Sequence, residues 1–147
     1  MRVFIDTNVL IDTLIPGRTS AEASACIFKL IRTTSMEGWM TTQSIIDAAY
    51  ITAKSPGYDD KRFRQVIGDL LSYVNVGGID YFDLKYAVNA TEIEDIEDCA
   101  QAFFADYNNC DIIISGDKYF RIPNKMEPTP VMTPKAFLDH LRAVHPL

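Results

Sequence analysis

An α/β fold of three layers, with helices on both faces of a mostly parallel central sheet, is what this sequence predicts. Three observations carry that reading. Short β-branched runs alternate along the chain with segments whose apolar residues recur at helical spacing. The runs Val3-Phe4-Ile5 and Ile112-Ile113-Ile114 are uninterruptedly apolar, as buried strands of parallel sheets are. Each is followed closely by an aspartate, Asp6 in the first case and Asp117 in the second.

Taken in order, Met1 to Asp6 is a buried strand, and Thr7-Asn8 turns sharply into a short apolar helix through Leu14. Pro16-Gly17 stops that helix. Thr19 or Ser20 then caps a second helix, with Ala23, Ile27, Leu30 and Ile31 on its apolar side. Glu37 to Met40 reads as a strand, and Thr42 to Lys54 as a helix broken before Ser55-Pro56-Gly57. From Asp59, the positions Phe63, Val66, Ile67, Leu70, Leu71 and Val74 mark the clearest amphipathic helix. Gly77-Gly78 interrupts, Ile79 to Phe82 reads as a strand, and a short helix covers Leu84 to Asn89. Glu94 to Tyr107 is helical and Asp111 to Ser115 a strand. Pro130 to Met132 makes a last short strand before a helix that starts at Pro134, a residue suited to the first helical position.

The 147 residues, 48% hydrophobic and 23% charged, make one globular domain over 1–147. No apolar run is long enough to cross a membrane, and Asp6 and Asp12 break any signal-peptide core, so a cytoplasmic protein is expected. Cys26, Cys99 and Cys110 lack zinc spacing and have apolar neighbours, which suits reduced core thiols. The net charge of −6 argues against avid nonspecific nucleic-acid binding, but a carboxylate metal site would account for several of those negatives.

Four aspartates, Asp6, Asp47, Asp98 and Asp117, stand where a carboxylate is hard to explain structurally. In open parallel sheets, ligands bind beyond the carboxyl ends of the strands, where Asp6 and Asp117 fall. Asp111 opens its strand instead, about 15 Å or more from that end, and is left out. Asp47 interrupts the apolar stretch Ser44-Ile45-Ile46-Asp47-Ala48-Ala49-Tyr50-Ile51. Asp98 shares a helical face with Ala102 and Ala105, which suggests packing against another element, although acids near a helix N-terminus are favoured anyway. Asp95 is a weaker candidate for a supporting role. Thr7 and Asn8 cap or orient, and Ser115 is a candidate partner for a neighbouring carboxylate.

Charges roughly 4 Å apart repel by about 4 kcal/mol at an effective dielectric near 20, so gathered carboxylates call for a cation. Mg²⁺ or Mn²⁺ takes oxygen ligands and keeps waters, and a phosphodiester is the natural anionic substrate. His140 and His145 both lie near the C-terminus, which argues against zinc. An aspartyl-nucleophile phosphatase would need an acid where Asn8 stands and another at Arg121.

In this order the segments resemble the PIN-domain family, in particular the VapC-type toxin ribonucleases. Val3-Phe4-Ile5-Asp6-Thr7-Asn8-Val9-Leu10 is similar to the family's opening motif, and the stretch around Asp47 to its second acidic segment. Ile96-Glu97-Asp98-Cys99-Ala100-Gln101 resembles the third and Asp111-Ile112-Ile113-Ile114-Ser115-Gly116-Asp117 the last. The resemblance implies a PIN-like fold and Mg²⁺- or Mn²⁺-dependent endonucleolytic cleavage of RNA. It maps Asp6, Asp47, Asp98 and Asp117 onto the acidic positions, and Thr7, Asn8 and Ser115 onto supporting ones. It also implies an antitoxin partner and a homodimer. The alternative within the family is a degenerate module that binds RNA or protein without cutting. Two departures stand out: Asp47 replaces the more usual Glu, and Ser115-Gly116 replaces Thr-Arg, with Lys118 or Arg121 as basic substitutes.

Overall fold

Strand and helix alternate as the sequence predicts, and the sheet is parallel throughout. The computed structural model describes residues 1–124, 126 and 129–144, so His145 lies outside the described residues. The strands are β1 (Arg2–Ile5), β2 (Glu37–Thr41), β3 (Val74–Gly77), β4 (Ile112–Ile114) and β5 (Val131–Met132), in the order β3-β2-β1-β4-β5. The strand order reverses at β1, which pairs with β2 through Val3 and Gly38 and with β4 through Phe4 and Ile113. The crevice beyond the carboxyl end of β1, between its two neighbours, is where such sheets place ligands.

Alternation of side chains along each strand divides the core in two. Val3, Ile5, Ile112 and Ile114 face one side with Met40 and Val74. Helices α1 (Thr7–Leu14), α2 (Ala21–Thr33), α3 (Thr42–Thr52), α4 (Asp60–Leu70) and α7 (Pro134–Val144) cover them, with Leu10, Ile27, Ala48, Leu70 and Phe137 as contact residues. Phe4 and Ile113 face the opposite side, under Ala102, Phe104 and Ala105 of α6 (Ile96–Tyr107). Helix α5 (Tyr81–Asn89) packs on α6 through Ala87 against Cys99 and Ala100. The middle strands β1 and β4 are thus covered on both faces, which is why their sequences carry no polar alternation.

Three expectations are corrected. The helix that starts at Asp60 stops at Leu70, and Val74 belongs to a strand, pairing with Gly38. Ile79 to Phe82 is not a strand: the Asp80 side chain accepts hydrogen bonds from the Phe82 and Asp83 N–H groups, the Asp83 carboxylate accepts from the Asp80 N–H, and this capping box starts α5 at Tyr81. Cys26 is exposed on α2, whereas Cys99 and Cys110 are the buried thiols expected. Among the described residues, no helix is long and apolar enough to cross a membrane.

Candidate active site

Asp6 sits at the step from β1 to α1, where the sheet holds its backbone: its N–H donates to the Ile114 carbonyl at 3.0 Å. Its side chain, 5% exposed, is the N-cap of α1, with Oδ1 accepting from the Thr7 N–H at 2.6 Å. Oδ2 accepts from Ser115 Oγ at 2.6 Å and from Asn8 Nδ2 at 2.5 Å. Asn8 completes a bridge to the β4 end by accepting from the Gly116 N–H at 2.7 Å. Ser115 Oγ also accepts from the Asp117 N–H at 3.0 Å. Thr7, Asn8 and Ser115 therefore tie two strand ends into one polar knot beside Asp6 and Asp117. Asp111 is at the other end of β4, accepting from the Arg2 N–H at 2.8 Å.

Helix α6 brings the next acids. Asp95 is its N-cap, accepting from the Glu97 and Asp98 N–H groups, and so supports the helix start. Asp98 is half-buried at the third position of that helix. Burial pushes its carboxyl up to about 7, helped by the charges of Asp95, Asp6, Asp117 and Glu97. Asp6 is also raised, chiefly by burial and partly by Asp117, against the lowering effect of its hydrogen bonds to Ser115, Thr7 and Asn8. Asp6, Asp98 and Asp117 thus stand within electrostatic reach of one another. Asp47 is on α3 across the crevice, half-buried, with Oδ1 accepting from Gln43 Nε2 at 2.8 Å. Its acidic neighbour is Glu97, whose carboxyl is raised by partial enclosure and then by Asp47, Asp6 and Asp95.

The side chains are near enough to repel but are not drawn into a cage. Among the described residues, no three Asp, Glu, His or Cys side chains converge to hold one ion. Asp6 instead accepts from Ser115 and Asn8, Asp117 from the Tyr119 N–H, and Asp47 from Gln43. The donor set nonetheless suits a hard divalent cation, because it offers carboxylate oxygens and no imidazole or thiolate. Two buried polar atoms on the site's elements, Thr7 Oγ1 and Gln101 Oε1, have no hydrogen-bond partner among the described residues.

The raised Asp98 gives a pH dependence whose sign is fixed. Between its ordinary value of 3.8 and about 7, the folded protein holds a proton that the unfolded chain has lost. Stability from this group is full below the ordinary value and is lost as pH rises through about 7. In chelator, wild-type protein should melt progressively lower from pH 5 to pH 7.5, and Asp98→Asn should flatten that decline. Parallel melting curves for the two proteins would contradict it.

One buried acid escaped the sequence reading. Asp12, 5% exposed on α1, accepts from Arg18 Nε at 2.6 Å and from Ser24 Oγ at 3.1 Å, clasping the α1–α2 turn. Only its position on the inner face of α1 betrays it. Arg18→Ala should lower stability by about 2 kcal/mol in denaturant melts, below the roughly 3–5 typical of fully buried pairs, because the Arg18 side chain is 41% exposed. A loss under about 0.5 kcal/mol, the scale of ordinary surface changes, would mean that solvent alone suffices for Asp12.

A family model described as the PIN domain matches residues 2–119, from β1 past Asp117. The chain belongs to the PIN-domain family. Solved structures agree on the fold. The VapC20 toxin of Mycobacterium tuberculosis, described as cleaving the sarcin-ricin loop, superposes with a TM-score of 0.64 at 11% identity, over 80% of this chain and 92% of that one. VapBC2 from Rickettsia felis, bound to a DNA fragment from its promoter, gives 0.61 at 16% identity, over 90% and 97%. No curated protein matches the sequence.

Against the usual PIN pattern, the glycine at position 116 has a local reason. A Cβ there would lie 3.0 Å from Asn8 Oδ1, crowding the acceptor that ties the β1 and β4 ends. Arg121 does not stand in for the missing arginine, since its guanidinium donates to the Lys118 and Phe120 carbonyls at 2.9 and 3.0 Å. Lys118 remains exposed, its ammonium 4.8 Å from the Tyr119 ring centre.

Proposed function

We propose that this PIN-domain protein is a Mg²⁺- or Mn²⁺-dependent endoribonuclease, the toxin of a toxin–antitoxin pair, acting through Asp6, Asp47, Asp98 and Asp117. The observation that carries the reading is the placement of Asp6 and Asp117 on strand ends tied together through Ser115 and Asn8, with Asp98 brought in on the first turn of α6. Structural stability gives no reason to assemble like charges there. In this reading Asp6, Asp98 and Asp117 hold the ion, Asp47 adds a carboxylate from the opposite side, and Thr7, Asn8 and Ser115 orient Asp6. When bound, the ion supplies an activated water and charge for the leaving oxygen. The chain's own part is to fix the carboxylates on strand ends and helix starts and to leave space for a polymer. Two open grooves favour that: one of about 480 Å³ lined by Asn8, Arg18, Thr19, Ser20 and Asp117, the other of about 550 Å³ reached by Asp47 and Glu97.

Exposed apolar residues favour a protein partner. Ile46 and Tyr50 of α3 and Tyr81, Phe82, Leu84 and Tyr86 of α5 are all at least 48% exposed. A cognate antitoxin or a second copy of the chain suits them, and a cytoplasmic location follows from the RNA substrate. The test is titration of Mg²⁺ and Mn²⁺ against a panel of labelled RNAs. Cleavage should require metal and vanish in Asp6→Ala and Asp98→Ala. A wild-type protein that binds RNA but never cuts it with either metal would instead be a binding module of the PIN fold.

A further inference from the structure

Among the described residues, Arg18 is the one cation anchored on a buried carboxylate. The chain leaves α1 through Pro16 and Gly17, whose φ of +80° suits glycine, and this turn brings Arg18 back to Asp12, six residues earlier. Nε donates to Asp12 Oδ1 at 2.6 Å, and Ser24 Oγ donates to Oδ2 at 3.1 Å, so both carboxylate oxygens are engaged. The Asp12 side chain is 7% exposed, whereas the acids of the other ion pairs among the described residues are all at least 47% exposed. A buried anchor thus fixes one edge of the guanidinium. The other donors, on Nη1 and Nη2, make no hydrogen bond among the described residues.

Arg18 lines the 480 Å³ groove that also reaches Asn8, Gly116 and Asp117, so it shares one open surface with the candidate metal group. Thr19 and Ser20 line the same groove. Ser20 precedes α2, yet its side chain makes no capping bond, which leaves the hydroxyl unspent. Holding Asp12 takes a single N–H, and a lysine could supply that. What arginine adds is a second, forked edge, the geometry that grips a phosphate through two parallel hydrogen bonds. The acids at Asp6, Asp98 and Asp117 repel an RNA strand, and a bound ion screens best the phosphate it touches. Flanking phosphates call for a cation from the protein itself, and among the residues lining this groove Arg18 is the one that carries positive charge.

We infer that Arg18 binds a backbone phosphate of the RNA strand, flanking the one addressed by Asp6, Asp98 and Asp117, with the Thr19 and Ser20 hydroxyls as further donors. The inference rests on the ribonuclease reading for its ligand and deepens it by giving the strand a path, along the α1–α2 turn and across the ends of β1 and β4. It is read out by binding and does not require cleavage. The Asp12–Arg18 pair is neutral as a whole, but it buries its anionic edge and presents the cationic one, so it attracts an anion at contact. A phosphate carries no base identity, and the contact therefore strengthens binding of every RNA sequence alike.

The test is fluorescence anisotropy of a labelled oligouridylate titrated with the full-length protein in Ca²⁺ over a series of NaCl concentrations, with gels confirming that the RNA stays intact. Arg18→Gln should weaken binding by about 10–100-fold, the scale of a hydrogen bond to a charged group. It should also make the plot of log Kd against log salt shallower by about 0.7, the ion release expected from one phosphate of a single strand. Because Arg18→Gln strands Asp12 without its partner, the double variant Asp12→Asn with Arg18→Gln is measured beside it. That variant leaves the net charge unchanged and should show the same two effects. Arg32→Gln, a loss of charge in the last turn of α2 and outside the groove, should bind as wild type does. A wild-type slope in whichever Arg18 variant circular dichroism shows to be folded overturns the phosphate contact, and so does an Arg32→Gln loss equal to that of Arg18→Gln. Arg18-dependent binding in a protein that never cuts RNA with Mg²⁺ or Mn²⁺ would sink the ribonuclease reading and leave this one standing. Asp6-dependent cleavage with an Arg18→Gln slope equal to wild type does the reverse. A wild type without measurable binding overturns the contact, and one that neither binds nor cuts overturns both.

Discussion

Asp6→Asn should reduce metal-dependent RNA cleavage by about 10²–10³-fold, the scale on which losing one preorganised charge-stabilising group acts. The substitution is chosen because it spares the fold. Asparagine also caps helices well, so the Thr7 N–H bond at 2.6 Å can persist and α1 should start where it does now. What cannot persist is the acceptor at Oδ2, which receives from both Ser115 and Asn8. An amide nitrogen placed there meets the Asn8 amide donor head-on, and an amide oxygen placed there takes the cap away instead. Either orientation removes the buried negative charge that a cation would need. Single-turnover cleavage of a labelled RNA at saturating Mn²⁺ measures the effect, with circular dichroism confirming the fold. If wild type and variant cut at equal rates, the activity belongs to a contaminant and the site assignment fails.

The residues of this knot were legible in the sequence because each is local to a strand end. Asp6 closes β1 and Ser115-Gly116-Asp117 follows β4, and uninterrupted β-branched runs mark those strands without ambiguity. The region from Leu70 to Asn89 was not legible in the same way. Val74 continues the 3.6-residue apolar spacing of α4, yet it is buried by parallel pairing with Gly38, a contact 36 positions away that periodicity does not register. Asp80 and Asp83 carried the signal that was needed, an N-cap with an acid three residues on, but the apolar run Ile79 to Phe82 reads equally well as a strand when its neighbours are unknown. Glu97 and Asp12 were missed for a related reason. Their significance lies in what faces them, Asp47 and Asp6 in one case and Arg18 and Ser24 in the other. Asp47 itself stood out as a lone acid in an apolar stretch, but Ile46, Tyr50 and Ile51 beside it are exposed, so the stretch marks a surface and not a core.

Phe104→Ala should cost about 3–5 kcal/mol, a large share of the stability of any domain this size. Phe104 is 5% exposed and meets Phe4 of β1 edge-on, with ring centres 5.9 Å apart. Gly77 at the end of β3 lies directly beneath it: a Cβ there would fall 2.8 Å from the ring, so the glycine is what lets the phenyl reach the sheet. Truncation leaves a void between a strand end without a side chain and a helix that neither can close by local movement, which places the cost at the upper part of the range. The same helix carries Glu97, Asp98 and Gln101 on its earlier turns. Loosening its seat on the sheet therefore relaxes the carboxylates as well, and Mn²⁺ affinity should fall together with the denaturation midpoint. Phe104→Leu, which refills part of the void, should recover part of both. A variant that loses the stability and keeps full Mn²⁺ affinity would show that α6 places its acids from its capped start, through Asp95, independently of how firmly Phe104 holds the rest of the helix.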